Sequence, residues 1–257
     1  DGRMIVFGGY NGTFLNDVYE LKLGGDHDES PPTWRRVQTT GSAPDARDGH
    51  TAVLARDGVN LLIFGGFDGE NQLGDLHALD THTFEWTNLK CTASVDAGGS
   101  NEDAAVEMPQ PRYMHSAIAC DDGILIYGGY LAGGAFADDL WRLSQSSDGE
   151  SKSRSESSSR PADGMPTPSP PSQADVDATW TWERVETTGE PPGALFGHAA
   201  ATDGHGRMWL SGGFGEGSFS GHLHLFEPRT RRWSLVRARG AKPSPRHKHT
   251  LVAAPTA

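Results

Sequence analysis

The 257 residues carry 22 Lys+Arg against 34 Asp+Glu, a formal charge of −12, with 35% hydrophobic residues, 33 glycines and 16 prolines. So much glycine and proline excludes a helical bundle, because interior Gly costs about 1 kcal/mol and interior Pro about 3 kcal/mol per helix position. No run of about 18 apolar residues occurs, which excludes a helical membrane span, and the acidic balance argues against duplex nucleic acid, whose binding rests on basic groups at phosphates.

Asp1-Gly2-Arg3 leads directly into an apolar run, Met4-Ile5-Val6-Phe7, that closes on Gly8-Gly9. The same run-and-pair returns at Leu61 to Phe64 with Gly65-Gly66, Ile124 to Tyr127 with Gly128-Gly129, and Met208 to Ser211 with Gly212-Gly213. An aromatic follows each pair (Tyr10, Phe67, Tyr130, Phe214), and then a strand with one register: Asp17-Val18-Tyr19, Asp75-Leu76-His77, Asp139-Leu140-Trp141, His222-Leu223-His224. A tryptophan strand comes next, at Trp34, Trp86, Trp182 and Trp233. Last is a strand opened by a histidine, at His50, His115, His198 and His249. The second Gly and the Trp are 20 residues apart in two units, 25 in one and 53 in one, so the excess is insertion. Without the insertions the period is about 50 residues with four short strands per unit.

Gly-Gly, Trp and Arg-x-x-His in this order resemble the kelch repeat. The style Trp…Val…Thr-Gly…Pro…Arg-x-Gly-His over Trp34 to His50 is similar to the broad kelch group of polarity, trafficking and coregulator proteins. The resemblance implies an all-β fold, a β-propeller of four-stranded blades, and a non-catalytic role in protein interaction. The units run at about 1–45, 46–110, 111–192 and 193–244, with a closing strand at 245–257. Within this repeat Gly8, Gly9, Gly65, Gly66, Gly128, Gly129, Gly212 and Gly213 serve close backbone approach. Trp34, Trp86, Trp182 and Trp233 fill the spaces between blades, each N–H finding a carbonyl. Leu195 departs from the pattern where Arg47, Arg112 and Arg246 stand in other units, which puts a blade-to-blade role of that arginine in doubt there.

The chain opens in a second strand and ends after a first strand, so 245–257 has the phase to complete the first blade. The other reading is a part of a larger ring, and it weighs more, since kelch propellers usually have more than four blades. The abrupt start also reads as a segment. With no signal peptide and only Cys91 and Cys120, a cytoplasmic location with reduced thiols is expected.

Residues 144–179 are rich in Ser and Pro and are expected to be disordered, either a passive loop or a phosphorylated one, at Ser157 to Ser159, Thr167 and Ser169. Together with the loops at 24–33 and 92–110 they account for −10 of the −12, leaving a scaffold that is nearly neutral. A basic partner, suggested by total charge, is therefore weakly supported, because these loops lie on both faces.

Eleven histidines invite a metal, and His222-Leu223-His224 and His247-Lys248-His249 each put two imidazoles on one strand face. Repeat register explains them without one. A propeller oxidase would need a Tyr/Tyr/His/His set that no stretch marks, and the Glu-x-x-x-Asp-x-x-x-His run of iron-dependent specifier proteins is absent, Glu70…Asp75-Leu76-His77 having the wrong spacing. Neither a P-loop nor Gly-x-Ser-x-Gly occurs. No metal, cofactor or catalytic residue is assigned. The alternatives are a metal-dependent propeller enzyme and a secreted carbohydrate-binding propeller with a glycan on Asn11.

The loops between second and third strands and those between fourth and first strands converge on one face. The expected partner contacts there are Asn11, Phe14, Asp68, Glu70, Leu131, Phe136, Glu216 and Phe219. Tyr10, Phe67, Tyr130 and Phe214 are read as packing residues of the repeat. The partner's identity and the oligomeric state stay open.

Overall fold

The computed structural model describes residues 2–24, 31–93, 107–120, 123–146 and 179–254. Most of the Ser/Pro-rich insertion, with the serines and threonine named as candidates for phosphorylation, lies outside the described residues.

Apolar runs rich in β-branched and aromatic residues, broken by glycine, give antiparallel sheets in chain order. The first holds β1 (Arg3–Tyr10), β2 (Phe14–Lys22) and β3 (Thr33–Val37). The second joins β5 (Thr51–Leu54), β6 (Asn60–Phe67), β7 (Gln72–Asp80) and β8 (Glu85–Asn88), with β4 (Thr40–Gly41) added parallel to β8. In the third, β9 (Cys91–Ala93) lies parallel to the outer strand; β10 (Arg112–Tyr113) stands apart, and β11 (Ser116–Cys120), β12 (Gly123–Tyr127), β13 (Tyr130–Leu131), β14 (Leu140–Ser146) and β15 (Thr179–Arg184) follow. Here β10 pairs with β13, and the sheet itself runs β11-β12-β14-β15-β9. The fourth has β16 (Thr188–Gly189) parallel to its outer strand, then β17 (Ala199–Thr202), β18 (Met208–Ser211), the small hairpin β19 (Phe214–Gly215) and β20 (Ser218–Phe219), β21 (Leu223–Glu227) and β22 (Arg232–Leu235). These are the blades of a β-propeller. No helix among the described residues is long and apolar enough to cross a membrane.

Each blade is bound to the next by a strap the repeat reading lacked. After the outer strand the chain crosses to the outer edge of the following sheet, where β4, β9 and β16 each add two or three parallel pairs, before running inward. The core lies between sheets. Phe7, Val18 and Val37 pack on Leu61, Ile63, Leu79 and Trp86. Leu62, Phe64 and Leu76 pack on Ile124, Ile126, Trp141 and Trp182, and Leu125, Tyr127 and Leu140 on Met208, Leu210, Phe226 and Trp233. At each junction a tryptophan meets the aromatic that ends the previous unit's second strand: Trp86 with Phe7, Trp182 with Phe64, Trp233 with Tyr127, at 5.1, 4.9 and 5.2 Å between ring centroids.

Three expectations are corrected. Trp34, in the first sheet, is 53% exposed while Trp86, Trp182 and Trp233 are at 2%, 1% and 0%, because no described blade precedes the first sheet. The indole N–H groups of Trp86 and Trp233 find no acceptor among the described residues, so these rings act by packing area alone. Among the described residues no closing strand is seen: 236–254 carries no strand, β1 pairs with β2, and the first sheet has three described strands.

Candidate functional site

The glycine pairs set the geometry of the face where the loops meet. In all four units the first Gly has φ between +62° and +67° and the second between +102° and +111°. Such angles suit glycine, and a Cβ on Gly65 would stand 2.5 Å from the Arg112 carbonyl oxygen of the next blade. The kink delivers the following aromatic to the face and leaves Gly9 N–H to bond Arg47 O, Gly129 N–H to bond Leu195 O, and Gly213 N–H to bond Arg246 O, each at 2.8 Å.

Around the axis runs a second backbone series. Gly49, Met114, Gly197 and Lys248 all have positive φ, and each N–H reaches the carbonyl of its predecessor: Met114 to Gly49 (2.7 Å), Gly197 to Met114 (2.8 Å), Lys248 to Gly197 (2.6 Å). The first-strand histidines follow directly. His198 Nε2 lies 3.1 Å from Tyr127 O and 2.9 Å from Ser116 Oγ, and His115 Nε2 lies 2.9 Å from Thr51 Oγ1. Burial holds His50 and His198 near a pKa of about 4 and His115 well below the ordinary value, so these rings are neutral ties between blades. His224 Nδ1 bonds Glu190 O and His77 Nδ1 bonds Ser42 O, both at 3.1 Å and in the same register. Among the described residues no three His, Cys, Asp or Glu side chains assemble as a metal site.

The repeated arginine acts within a blade. Arg47 grips Asp75 with both guanidinium nitrogens (2.6 and 2.8 Å) and Gly65 O, and Arg112 grips Asp139 (2.6 and 3.0 Å) and Gly128 O. Its backbone, not its side chain, reaches the neighbouring blade, so the blade-to-blade reading of the side chain is corrected. Leu195 occupies this place in the fourth unit, where the aspartate is also gone, replaced by His222.

On this frame the rings of four units form one continuous belt. Tyr10 touches Phe14, Phe14 touches Phe67, and Phe67 stacks on Tyr113 at 5.3 Å and 29°. Tyr113 meets Tyr130 (5.3 Å), and Tyr130 meets both Phe136 and Phe196. Phe136 and Phe196 meet Phe214, Phe214 meets Phe219, and Phe219 meets His247 at 5.0 Å. Tyr10 and Phe219, near the two ends, are 60% and 48% exposed, and the rings between them are half-buried.

Of the residues expected from sequence, Phe14, Phe136 and Phe219 belong to the belt. Leu131 lies beside it, paired across β10–β13 with Arg112. Glu70 and Glu216 are exposed on its rim, and Glu216 holds a φ of +50°. Asn11 and Asp68 hold their own turns: Asn11 Oδ1 accepts from Thr13, and Asp68 Oδ1 accepts from the N–H groups of Glu70 and Asn71 at 2.8 and 2.7 Å. Sequence reading missed Tyr113 and Phe196, which follow the Arg position, and Asp48, which stands in their register; His247, in the same register, was singled out only as half of a histidine pair. A cleft of about 660 Å³ flanks the belt between Pro192 to Leu195, Gly215 to His222 and Lys242 to Pro245.

Similarity to known proteins agrees with this architecture. The chain is 27% identical over 97% of its length to the leucine-zipper-like transcriptional regulator 1 homolog of Drosophila melanogaster, covering 22% of that protein. It is 25% identical over 85% of its length to acyl-CoA-binding domain-containing protein 4 of Arabidopsis thaliana (27% of that protein). Over 46% of its length it is 30% identical to the host cell factor homolog hcf-1 of Caenorhabditis elegans (14% of that protein). The chain thus spans about a quarter or less of these relatives. The family model of the KLHDC2/KLHL20/DRC7 Kelch-repeats domain matches residues 1–168 and 103–256, and with the glycine pairs, tryptophans and histidines in blade register the chain belongs to the kelch-repeat family.

Proposed function

We propose that this chain is a cytoplasmic, non-catalytic protein-interaction module whose partner lies on the aromatic belt. What carries the reading is the unbroken series of ring contacts from Tyr10 to His247, contributed by the loops of four units and open to solvent along one face. Rings held by their neighbours lose little entropy on binding and offer large desolvable area, the property of interface anchors. Kelch membership supports an interaction role; of the histidines that suggested a metal, His224 is tied to Glu190 O and His247 belongs to the belt.

The test is affinity capture from cell extract with the wild-type chain and with Phe136→Ala/Phe219→Ala. Proteins retained by the wild type are expected to be lost from the double variant and kept by Arg229→Ala, on the turn before β22. Equal retention by all three sinks the belt reading.

A further inference from the structure

The belt has one break in its composition. The residue after the Arg position is Tyr113, Phe196 and His247 in three units, and Asp48 in the other. Three of the four units place a ring there, so nothing in the scaffold requires a carboxylate.

Asp48 is also held firmly. Its N–H donates to Phe67 O at 3.0 Å, and its carbonyl accepts from Phe67 N–H at 2.9 Å. Its Oδ1 is shut off from solvent and meets no hydrogen-bond donor among the described residues. The guanidinium of neighbouring Arg47 is committed to Asp75 and Gly65. Lys248 is the basic group whose charge is felt at Asp48, yet it makes no ion pair with it. Desolvation pushes the Asp48 carboxyl up, which marks a negative charge short of compensation. Beside it stand the stacked rings of Phe67 and Tyr113, with Asp68 and Glu70 on the same rim. The basic side chains Lys242 and Arg246 stand at the far end of the belt, beside Ser220 to Leu223.

Resting on the reading of the belt as the partner face, we propose that its occupant is an extended peptide segment that seats an arginine or lysine side chain against Asp48, over the Phe67–Tyr113 pair. A planar guanidinium stacks on an aromatic face and donates to the carboxylate oxygen of Asp48 that is not enclosed, at a residue whose backbone Phe67 already fixes.

The experiment is selection of random heptapeptides displayed on phage against the wild-type chain and against Asp48→Asn. Wild-type selection is expected to enrich one position in Arg or Lys, with Asp48→Asn abolishing that preference while aromatic and proline preferences persist. For an enriched peptide, replacing its arginine by citrulline, of equal size and no charge, should weaken binding to the wild type at least tenfold. This arm needs no variant to fold. Enriched peptides without a basic position, or equal binding of the citrulline form, overturn the basic anchor. If those peptides still lose binding to Phe136→Ala, the belt itself stands. Enrichment of no peptide at all, or of peptides indifferent to Phe136→Ala, overturns both.

Discussion

Arg112 and Asp139 meet in a two-pronged ion pair, at 2.6 and 3.0 Å, that joins the entry to the third blade to its third strand. The guanidinium is fully buried and the carboxylate nearly so, with Trp141 Nε1–H also donating to it at 2.7 Å. In the fourth unit both members are exchanged together, for Leu195 and His222. The fourth blade therefore does without the pair.

Removing one partner of a buried pair strands the other charge, at a cost of about 3–5 kcal/mol. Arg112→Leu should destabilise by that amount. Adding Asp139→Asn, which keeps an acceptor for Trp141, should recover at least half. Urea unfolding of the two variants is the check, and a double variant no more stable than Arg112→Leu contradicts the account.

The buried histidines give stability a pH dependence with a fixed sign. His50 and His198 have folded pKa values of about 4 against an ordinary 6.5, so between these limits the unfolded chain binds protons that the folded chain refuses. Their contribution is fully present above about pH 6.5 and is lost as pH falls toward 4, each histidine adding a slope of about 1.4 kcal/mol per pH unit at most. Asp75 and Asp139, held down by their arginines despite burial, add their own loss only below about pH 4. Urea midpoints should drop between pH 7.5 and pH 5, and His198→Asn should show a shallower drop. A midpoint constant over that range would rule out neutral histidine ties.

Glycine substitutions separate backbone conformation from close approach. Gly58 and Gly65 share a positive φ, +71° and +64°, but only Gly65 lies under the next blade, with the Arg112 carbonyl 2.5 Å from its Cβ position. Gly58→Ala should cost about 1–2 kcal/mol, the strain of a left-handed residue. Gly65→Ala should cost clearly more, because backbone must move. Similar melting temperatures for the two variants would mean that the blades are not in contact at this point.

The parts legible in the sequence were those that repeat with a fixed residue type. The glycine pairs recur with one geometry in every unit, and the tryptophans with one role at three junctions, and so announce blades and their order. The straps were not legible, because Thr40–Gly41 or Thr188–Gly189 offer two residues with no apolar pattern and pair with strands about 45 residues ahead. Trp34 has the residue type of a buried wedge, and only its surroundings leave it exposed. At the candidate site Phe14, Phe136 and Phe219 were expected as partner contacts from their place in the loops, and they join the belt. Tyr113 and Phe196 were hidden inside the Arg-x-x-His pattern, at a place where the repeat specifies nothing. Tyr10, Phe67, Tyr130 and Phe214 read as packing residues, and the structure shows them packing on the rings between them, Phe14, Tyr113, Phe136 and Phe196, while also forming the open face.

The central claim is that this face, and no other, receives the partner. Hydroxyl-radical footprinting of the chain with a protein captured by the wild type reads it directly, since tyrosine, phenylalanine and histidine side chains are oxidised readily. Protection is predicted at Tyr10, Phe14, Phe136, Phe219 and His247, with His205 and Arg229 on the turns before β18 and β22 unchanged. Protection centred on those turns, with the belt still oxidised, would contradict it.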